Sequence, residues 1–508
     1  MHEIITLQLG QASNYVATHF WNAQESYFTY GDDPAEPAVD SNVHWRAGIG
    51  SDGAETFLPR TVIYDLKGGF GSLRKINALY EPPENNDAAS ASSALTWSAK
   101  PVVHKLPAIP QSIYQQSLDA GETAPGLTSS HVRYWSDFSR VFYHPKSLNQ
   151  LYDYELNSSI QPFEDWHLGQ ELFKSLDRGE DMVDRDFRPF IEEADQMQAI
   201  QLFTCLDDAW GGFATDYVDR LRDEYPKATI WVWGTQTPRL PRGKLHNLAR
   251  SIASMCEQAT MLVPLSIPAA KDLSPNIRLG SQSPWQTSAL LSTAVETAGF
   301  ASRTTSKRGR ETLGDIAASL NTGGKQTLSR LEMTVSQAWS PNEDTQSTSF
   351  TSPELDSALD VDLFRLTSGQ WPSRTTRPTA KKCFGQSWAL RAMSGVQNNN
   401  DEDEEAERHG HSSRDGRTHR LFEKTPFPLV DSFPAIYTSP TGAPLSESAG
   451  VTTRLSTDTG VSNAVKELRS FVAASIGVEE REDLGNELAE LADAYRDGWS
   501  SGSDDDDD

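Results

Sequence analysis

MHEIITLQLGQASNYVATHFW, residues 1–21, is the stretch that decides the fold. Ile4, Ile5, Leu7 and Leu9 read as a short apolar strand, Gly10-Gln11 as a tight turn, and the residues running to Phe20-Trp21 as a helix. A strand that turns at a glycine into a helix N-terminus aims backbone N–H groups and the positive end of the helix dipole at one spot, which suits a phosphate. The expected class is therefore α/β, built on a parallel sheet of the nucleotide-binding type.

Further segments extend this pattern. FLPRTVIYDLKGG, residues 57–69, carries a second strand that ends at Gly68-Gly69. AIQLFTCL, residues 199–206, runs into Asp207-Asp208, passes Gly211-Gly212 and enters a helical pattern that stops at Tyr225-Pro226, after which KATIWVWG gives another strand. Strand, turn, helix and strand in that order make a βαβ unit and a parallel sheet. A helix over Leu245–Glu257 precedes the apolar MLVPLSIP. Beyond about residue 300 the pattern shifts to short helical pieces, Thr312–Leu320, Asn463–Ile476 and Leu484–Tyr495, set between polar gaps. The expected organisation is a domain over residues 1–300 with an insertion at about 81–130, a smaller α+β domain over 301–495 with low-complexity insertions at about 340–380 and 398–420, and an acidic tail over 496–508. Residues 398–420 hold almost no large apolar side chain and read as disordered.

Bulk composition bounds the function. The 508 residues carry a formal charge of −26, which disfavours direct binding to nucleic acid or to an anionic lipid surface. Three widely spaced cysteines, Cys205, Cys256 and Cys383, fit free thiols in a reducing compartment and no zinc spacing. No apolar run reaches the length of a membrane span, and no Lys or Arg precedes Arg46, so a matrix-targeting leader is not expected. The expectation is a cytosolic chain whose contact with any organelle is peripheral.

Several of these segments resemble tubulin. The opening matches at Glu3-Ile4, Gly10-Gln11, Asn14 and Phe20-Trp21; the second strand matches at Pro59-Arg60, Val62 and Asp65-Leu66; DRLRDEYP (219–226), the loosely similar TLGDIAASLN (312–321) and the acidic tail agree. Within that superfamily, residues 2–28, YWSDFSRVFYHPKSL (134–148) and LFTCLDDAWGGF (202–213) are similar to the Misato family of tubulin-like proteins. The resemblance covers about the first 300 residues well and the remainder weakly. It implies a tubulin-like fold and a role in mitochondrial distribution and inheritance, including partition of mitochondrial DNA. It also implies protein partners on the mitochondrial outer surface or the cytoskeleton, and a location on that surface as well as in the cytoplasm.

The residues themselves speak against tubulin-type hydrolysis. Tubulins hold phosphates in a glycine-rich turn, because the backbone must approach the phosphates closely and adopt conformations that a Cβ blocks. The corresponding turn here, Asp207 to Gly212, keeps only Gly211 and Gly212 and introduces two carboxylates and Trp210. A carboxylate about 4 Å from a phosphate charge costs roughly 1 kcal/mol in water and roughly 4 kcal/mol at an effective dielectric of 20. Two of them offset much of a micromolar affinity of about 8 kcal/mol. Lys67 stands where tubulins place Glu, Ser13 where they place glycine, and Ala318 where α-tubulin places its activating Glu, while Asp315 is kept. The expected site is a vestigial nucleotide cleft of Gly10, Gln11, Asn14, Asp65, Gly211 and Gly212, with no catalytic residue and no resident metal or cofactor. Two readings of Asp207 and Asp208 stay open: capping of the next helix, or Mg²⁺ ligation that would carry GTP. Trp135 corresponds to a tubulin loop tryptophan over the γ-phosphate, and its segment reads either as loop packing or as a partner surface. His409, His411 and His419 lie in a polar tract that reads as solvated, and Gly323-Gly324-Lys325 lacks the Ser/Thr of a P-loop. The expected function is non-enzymatic; the rivals are a polymerising GTPase and a cytoskeletal or chaperone-binding scaffold. Self-association is left open.

Overall fold

The computed structural model describes residues 3–28, 37–49, 53, 55–73, 109–238, 241–280, 283–306, 310–337, 359–367, 382–392, 417–475 and 478–496. Six strands form the first sheet: β1 (Glu3–Leu9), β2 (Thr61–Lys67), β3 (Leu148–Glu155), β4 (Met197–Cys205), β5 (Thr229–Gln236) and β6 (Met261–Ser266). All are parallel, in the order 3-2-1-4-5-6. Runs such as IITLQL and TIWVWG form strands because a parallel sheet is covered on both faces, so side chains of both parities are buried.

One face is covered by α1 (Gln11–Glu25), and the other by α2 (Trp166–Glu180), α3 (Ala209–Glu224) and α4 (Arg242–Gln258). The core helix α5 (Pro284–Ala298) packs against α1. After α6 (Leu313–Leu320) comes a second sheet of β7 (Arg330–Gln337), β8 (Val361–Asp362), β9 (Cys383–Arg391), β10 (Arg417–Glu423) and β11 (Ser448–Asp458), in the order 8-7-11-9-10. Its pairs are antiparallel except β9 with β10. Helices α7 (Thr459–Ser475) and α8 (Val478–Asp493) return to pack on α4. The chain after residue 300 thus contributes to both apolar clusters that sandwich the first sheet.

One sequence expectation changes here. Residues 417–420, read as disordered with the rest of 398–420, begin β10, where Gln386 Nε2 donates to Thr418 Oγ1 at 2.8 Å. A seven-residue segment of local polarity joins a sheet when a neighbour supplies the ladder. The expected insertion at 81–130 includes a short helix, Ile113–Asp119, capped by Ser112; residues 81–108, 340–358, 368–380, 398–416 and 497–508 lie outside the described residues.

The two halves meet at a buried charge cluster. Glu296 of α5 accepts from Arg303 Nη2 at 2.7 Å, from Tyr27 Oη at 2.9 Å and from Arg391 of β9. Glu296, Arg303 and Arg391 are at most 1% exposed. Burial alone would raise the Glu296 carboxyl, but the guanidiniums of Arg391 and Arg303 outweigh it and hold the group below its usual range. Arg391 also lies over the Phe300 ring, 4.2 Å from its centroid. Glu296→Gln leaves two buried guanidiniums without their counter-charge, so the chain is expected to lose about 3–5 kcal/mol of stability, measurable by urea unfolding.

Candidate functional site at the sheet switch point

In a 3-2-1-4-5-6 sheet the chain reverses direction of growth between β1 and β4, and ligands of such folds sit at the carboxyl ends of those strands. Here that edge holds Gly10 and Gln11 after β1, Asp65 and Lys67 at the end of β2, and Asp207, Asp208 and Trp210 after β4.

The structure brings four of the expected residues together and turns them toward one another. Gly10, at φ +81°, passes the chain from β1 into α1 without a side-chain cap. Gln11 Nε2 donates to Asp65 Oδ2 at 2.7 Å and to the Gly69 carbonyl at 2.7 Å. Asn14 Nδ2 and Trp135 Nε1 reach the same Asp65 oxygen at 2.8 and 3.1 Å, and Leu66 N–H donates to the other at 2.8 Å. Asp65 is wholly buried. Burial pushes its carboxyl up to about 6, while the donors from Asn14, Leu66, Trp135 and Gln11 pull the other way. Donors that could have met a ligand are thus engaged by an internal carboxylate. Trp135 is buried, as are Phe138, Val141 and Tyr143, so this segment packs into the core; Phe142 alone of its large apolar residues is strongly exposed.

Trp210 fills the space over the first turn. A Cβ on Gly10 would meet its indole at 2.5 Å from Cε2 and 2.6 Å from Cδ1. The ring is 5% exposed and packs on Phe163 and Phe213, with centroids 5.3 and 5.5 Å away. Phe163 comes from the loop after β3, so that loop closes over the indole.

Gly211 and Gly212 depart from the sequence reading. They lie inside α3, which begins at Ala209, and not in a turn that faces a phosphate. Their missing Cβ atoms serve helix contact: one on Gly212 would overlap the Trp166 carbonyl of α2, and one on Gly211 would overlap Ser251 Oγ of α4. Gly169 of α2 reciprocates, since a Cβ there would overlap the Ala209 carbonyl. The remaining turn is only Leu206 to Asp208. Asp208 caps α3 by accepting from Trp210 N–H at 2.9 Å. Asp207 does something else: buried, it accepts from Thr237 N–H at 2.7 Å and from Cys205 Sγ at 3.1 Å, with Lys244 Nζ 3.9 Å away. Burial, then the Asp207 charge, pushes Asp208 up to about 7.

Cys205, Asp207 and Asp208 are the metal-ligating trio among the described residues, with ligand atoms within 4.8 Å of one another. The fit to Mg²⁺ is poor. Magnesium demands octahedral oxygen ligation, whereas this set includes a thiol that burial raises well above its usual range, and both carboxylates already accept backbone N–H groups. Lys67 is half-buried at the end of β2, Ser13 is buried in α1, and Asp315 closes a capping box with Thr312 at the start of α6. His419 pairs with Glu311 Oε1 at 3.0 Å, and His409 and His411 lie outside the described residues.

Sequence reasoning overlooked the acceptor role of Asp65 toward Trp135 and the packing of Phe163 on Trp210. Neither has a local signature, because each pair is separated by tens of residues.

The chain matches the family described as Misato Segment II tubulin-like domain over residues 2–120 and that described as Tubulin domain over residues 124–304. It is 50% identical to Protein DML1 of Gibberella zeae, 45% identical to Protein dml-1 of Neurospora crassa and 43% identical to Protein DML1 of Coccidioides immitis, with 100% of each chain covered.

Two outcomes follow from this geometry. Gly212→Ala should destabilise by about 1–3 kcal/mol in urea unfolding, because α2 and α3 must separate; at an open helical position the same change stabilises by up to about 1 kcal/mol. The raised carboxyl of Asp65 means that the folded chain binds a proton more tightly than the unfolded chain. Its contribution to stability is full at low pH and is lost as pH rises from about 4 to about 6, by roughly 3 kcal/mol. Unfolding free energies of the wild type minus those of Asp65→Asn should therefore fall by that amount across this window.

Proposed function

Because the chain belongs to the Misato/DML1 family of tubulin-like proteins, we propose that it is a non-enzymatic, nucleotide-independent factor in the distribution and inheritance of mitochondria and the partition of their DNA. The observation that carries the nucleotide-independent part is the indole of Trp210 seated over Gly10. A phosphate at that turn would have to displace a buried aromatic ring, a change of roughly 1.5–3 kcal/mol in apolar burial, and would then face Asp207 and Asp208. Gln11 and Asn14 would also have to leave Asp65. The mitochondrial part is drawn from the family resemblance.

The protein would work from the cytoplasm, attached peripherally to the mitochondrial outer surface by protein partners. No described helix is long and apolar enough to cross a membrane, and the net charge of −26 disfavours direct attachment to anionic lipid or DNA. Partition of mitochondrial DNA would then follow indirectly from placement of the organelle.

Fluorescent guanine nucleotide titrated with Mg²⁺ should give no saturable signal below about 100 μM and no phosphate release. Micromolar binding with turnover would instead establish the polymerising GTPase. In cells, the tagged chain should co-sediment with mitochondria, be removed by carbonate or external protease, and its depletion should cluster mitochondria and reduce their DNA. Normal mitochondria after depletion would sink the inheritance role.

A further inference from the structure

The hairpin before β11 presents a Ser-Pro dipeptide at its tip. Thr438 and Pro444 bridge antiparallel, Ser439 N–H donates to the Ala443 carbonyl at 2.7 Å, and Gly442 N–H donates back to the Ser439 carbonyl at 2.8 Å. Gly442, at φ +84°, closes the turn. Pro440 and Thr441 are exposed, and the Ser439 hydroxyl touches only the exposed Thr441 hydroxyl, at 2.7 Å. Of the other described Ser/Thr-Pro pairs, Ser274 is buried, Thr425 donates to Glu423 at 3.1 Å, Thr237 Oγ1 lies 3.5 Å from Lys244 Nζ, and Ser283 is the half-buried residue at the start of α5 rather than the tip of a hairpin.

A cation stands beside this tip. The segment after β6 pairs with the hairpin through Ile277 and Tyr437, through Arg278 N–H to the Ile436 carbonyl at 2.8 Å, and through Thr438 N–H to the Asn276 carbonyl at 2.9 Å. The exposed Arg278 places Nη2 3.3 Å from where a Cβ on Gly442 would lie. Among the described residues no carboxylate pairs with it. Arginine unpaired in a chain of net charge −26 is a ready partner for a phosphate, which it can hold through two parallel N–H groups.

We propose that Ser439 is a phosphorylation site for a proline-directed serine/threonine kinase, and that Arg278 binds the phosphate once it is attached. In the transfer, Ser439 Oγ bonds to the γ-phosphorus of ATP, the bond to the ADP oxygen breaks, and the hydroxyl proton passes to the kinase base. The product places roughly two negative charges between the strand-like segment after β6 and the hairpin before β11. It therefore ties the two halves of the chain at a surface seam, with Arg278 as the counter-ion beside the tip.

The full chain should be incubated with ATP and a proline-directed kinase, with a synthetic peptide of the hairpin sequence as control, and the site read by mass spectrometry and phosphorus NMR titration. The expected result is a phosphate on Ser439, absent in Ser439→Ala, whose proton affinity is about threefold or more weaker in the intact chain than in Arg278→Gln. Phosphorylation of the peptide but not of the folded chain would overturn the site. An identical titration in both chains would overturn the role of Arg278.

Discussion

The contact between the indole of Trp210 and the backbone at Gly10 governs the carboxyl edge of the first sheet. Gly10 has to be glycine twice over, because its φ is positive and because the ring lies where a Cβ would project. The ring in turn has to be held, and Phe163 and Phe213 pack edge-on against it. The loop after β3 is drawn over the crevice by Phe163, and α3 is started one residue before Trp210 by the Asp208 cap. At the edge where this class of sheet receives a ligand, the turn after β1 is here covered by an indole.

A similar inward turn marks the polar residues. Asp65 gathers Gln11, Asn14 and Trp135 onto one carboxylate. A buried carboxylate is expensive without partners, and three side-chain donors with a backbone N–H offset part of that cost. The raised proton affinity of Asp65 is the residue of the cost that the donors leave unmet. On the far face, Glu296 does the converse work between two guanidiniums, where one carboxylate serves residues from β9 and from the segment after α5. Such a cluster tolerates little change because removal of one member strands the others.

How much of this was legible depends on the range of each interaction. Ile4, Ile5, Leu7, Leu9 and the TIWVWG run announce strands by local pattern, and those strands form. The glycines at 211 and 212 misled, since a Gly-Gly after a strand reads as a loop, whereas here it sits inside a helix pressed against Trp166 and Ser251. Residues 417–420 were hidden for a related reason: their own composition is polar, and the ladder with β9 makes them a strand. Glu296, Arg303 and Arg391 bear no mark at all, being separated charged residues whose meeting needs the second sheet to dock.

The sequence by itself determined the α/β class, the position of the turn after β1, the net acidity, and the family resemblance, because all of these reside in periodicity, composition or short contiguous strings. Only the tertiary structure decided that Trp210 lies over Gly10, that Asp65 takes the side chains of Gln11 and Asn14, and that Gly211 and Gly212 serve helix contact. Those outcomes are set by volume and hydrogen-bond competition among residues far apart in the chain, quantities that no local stretch contains.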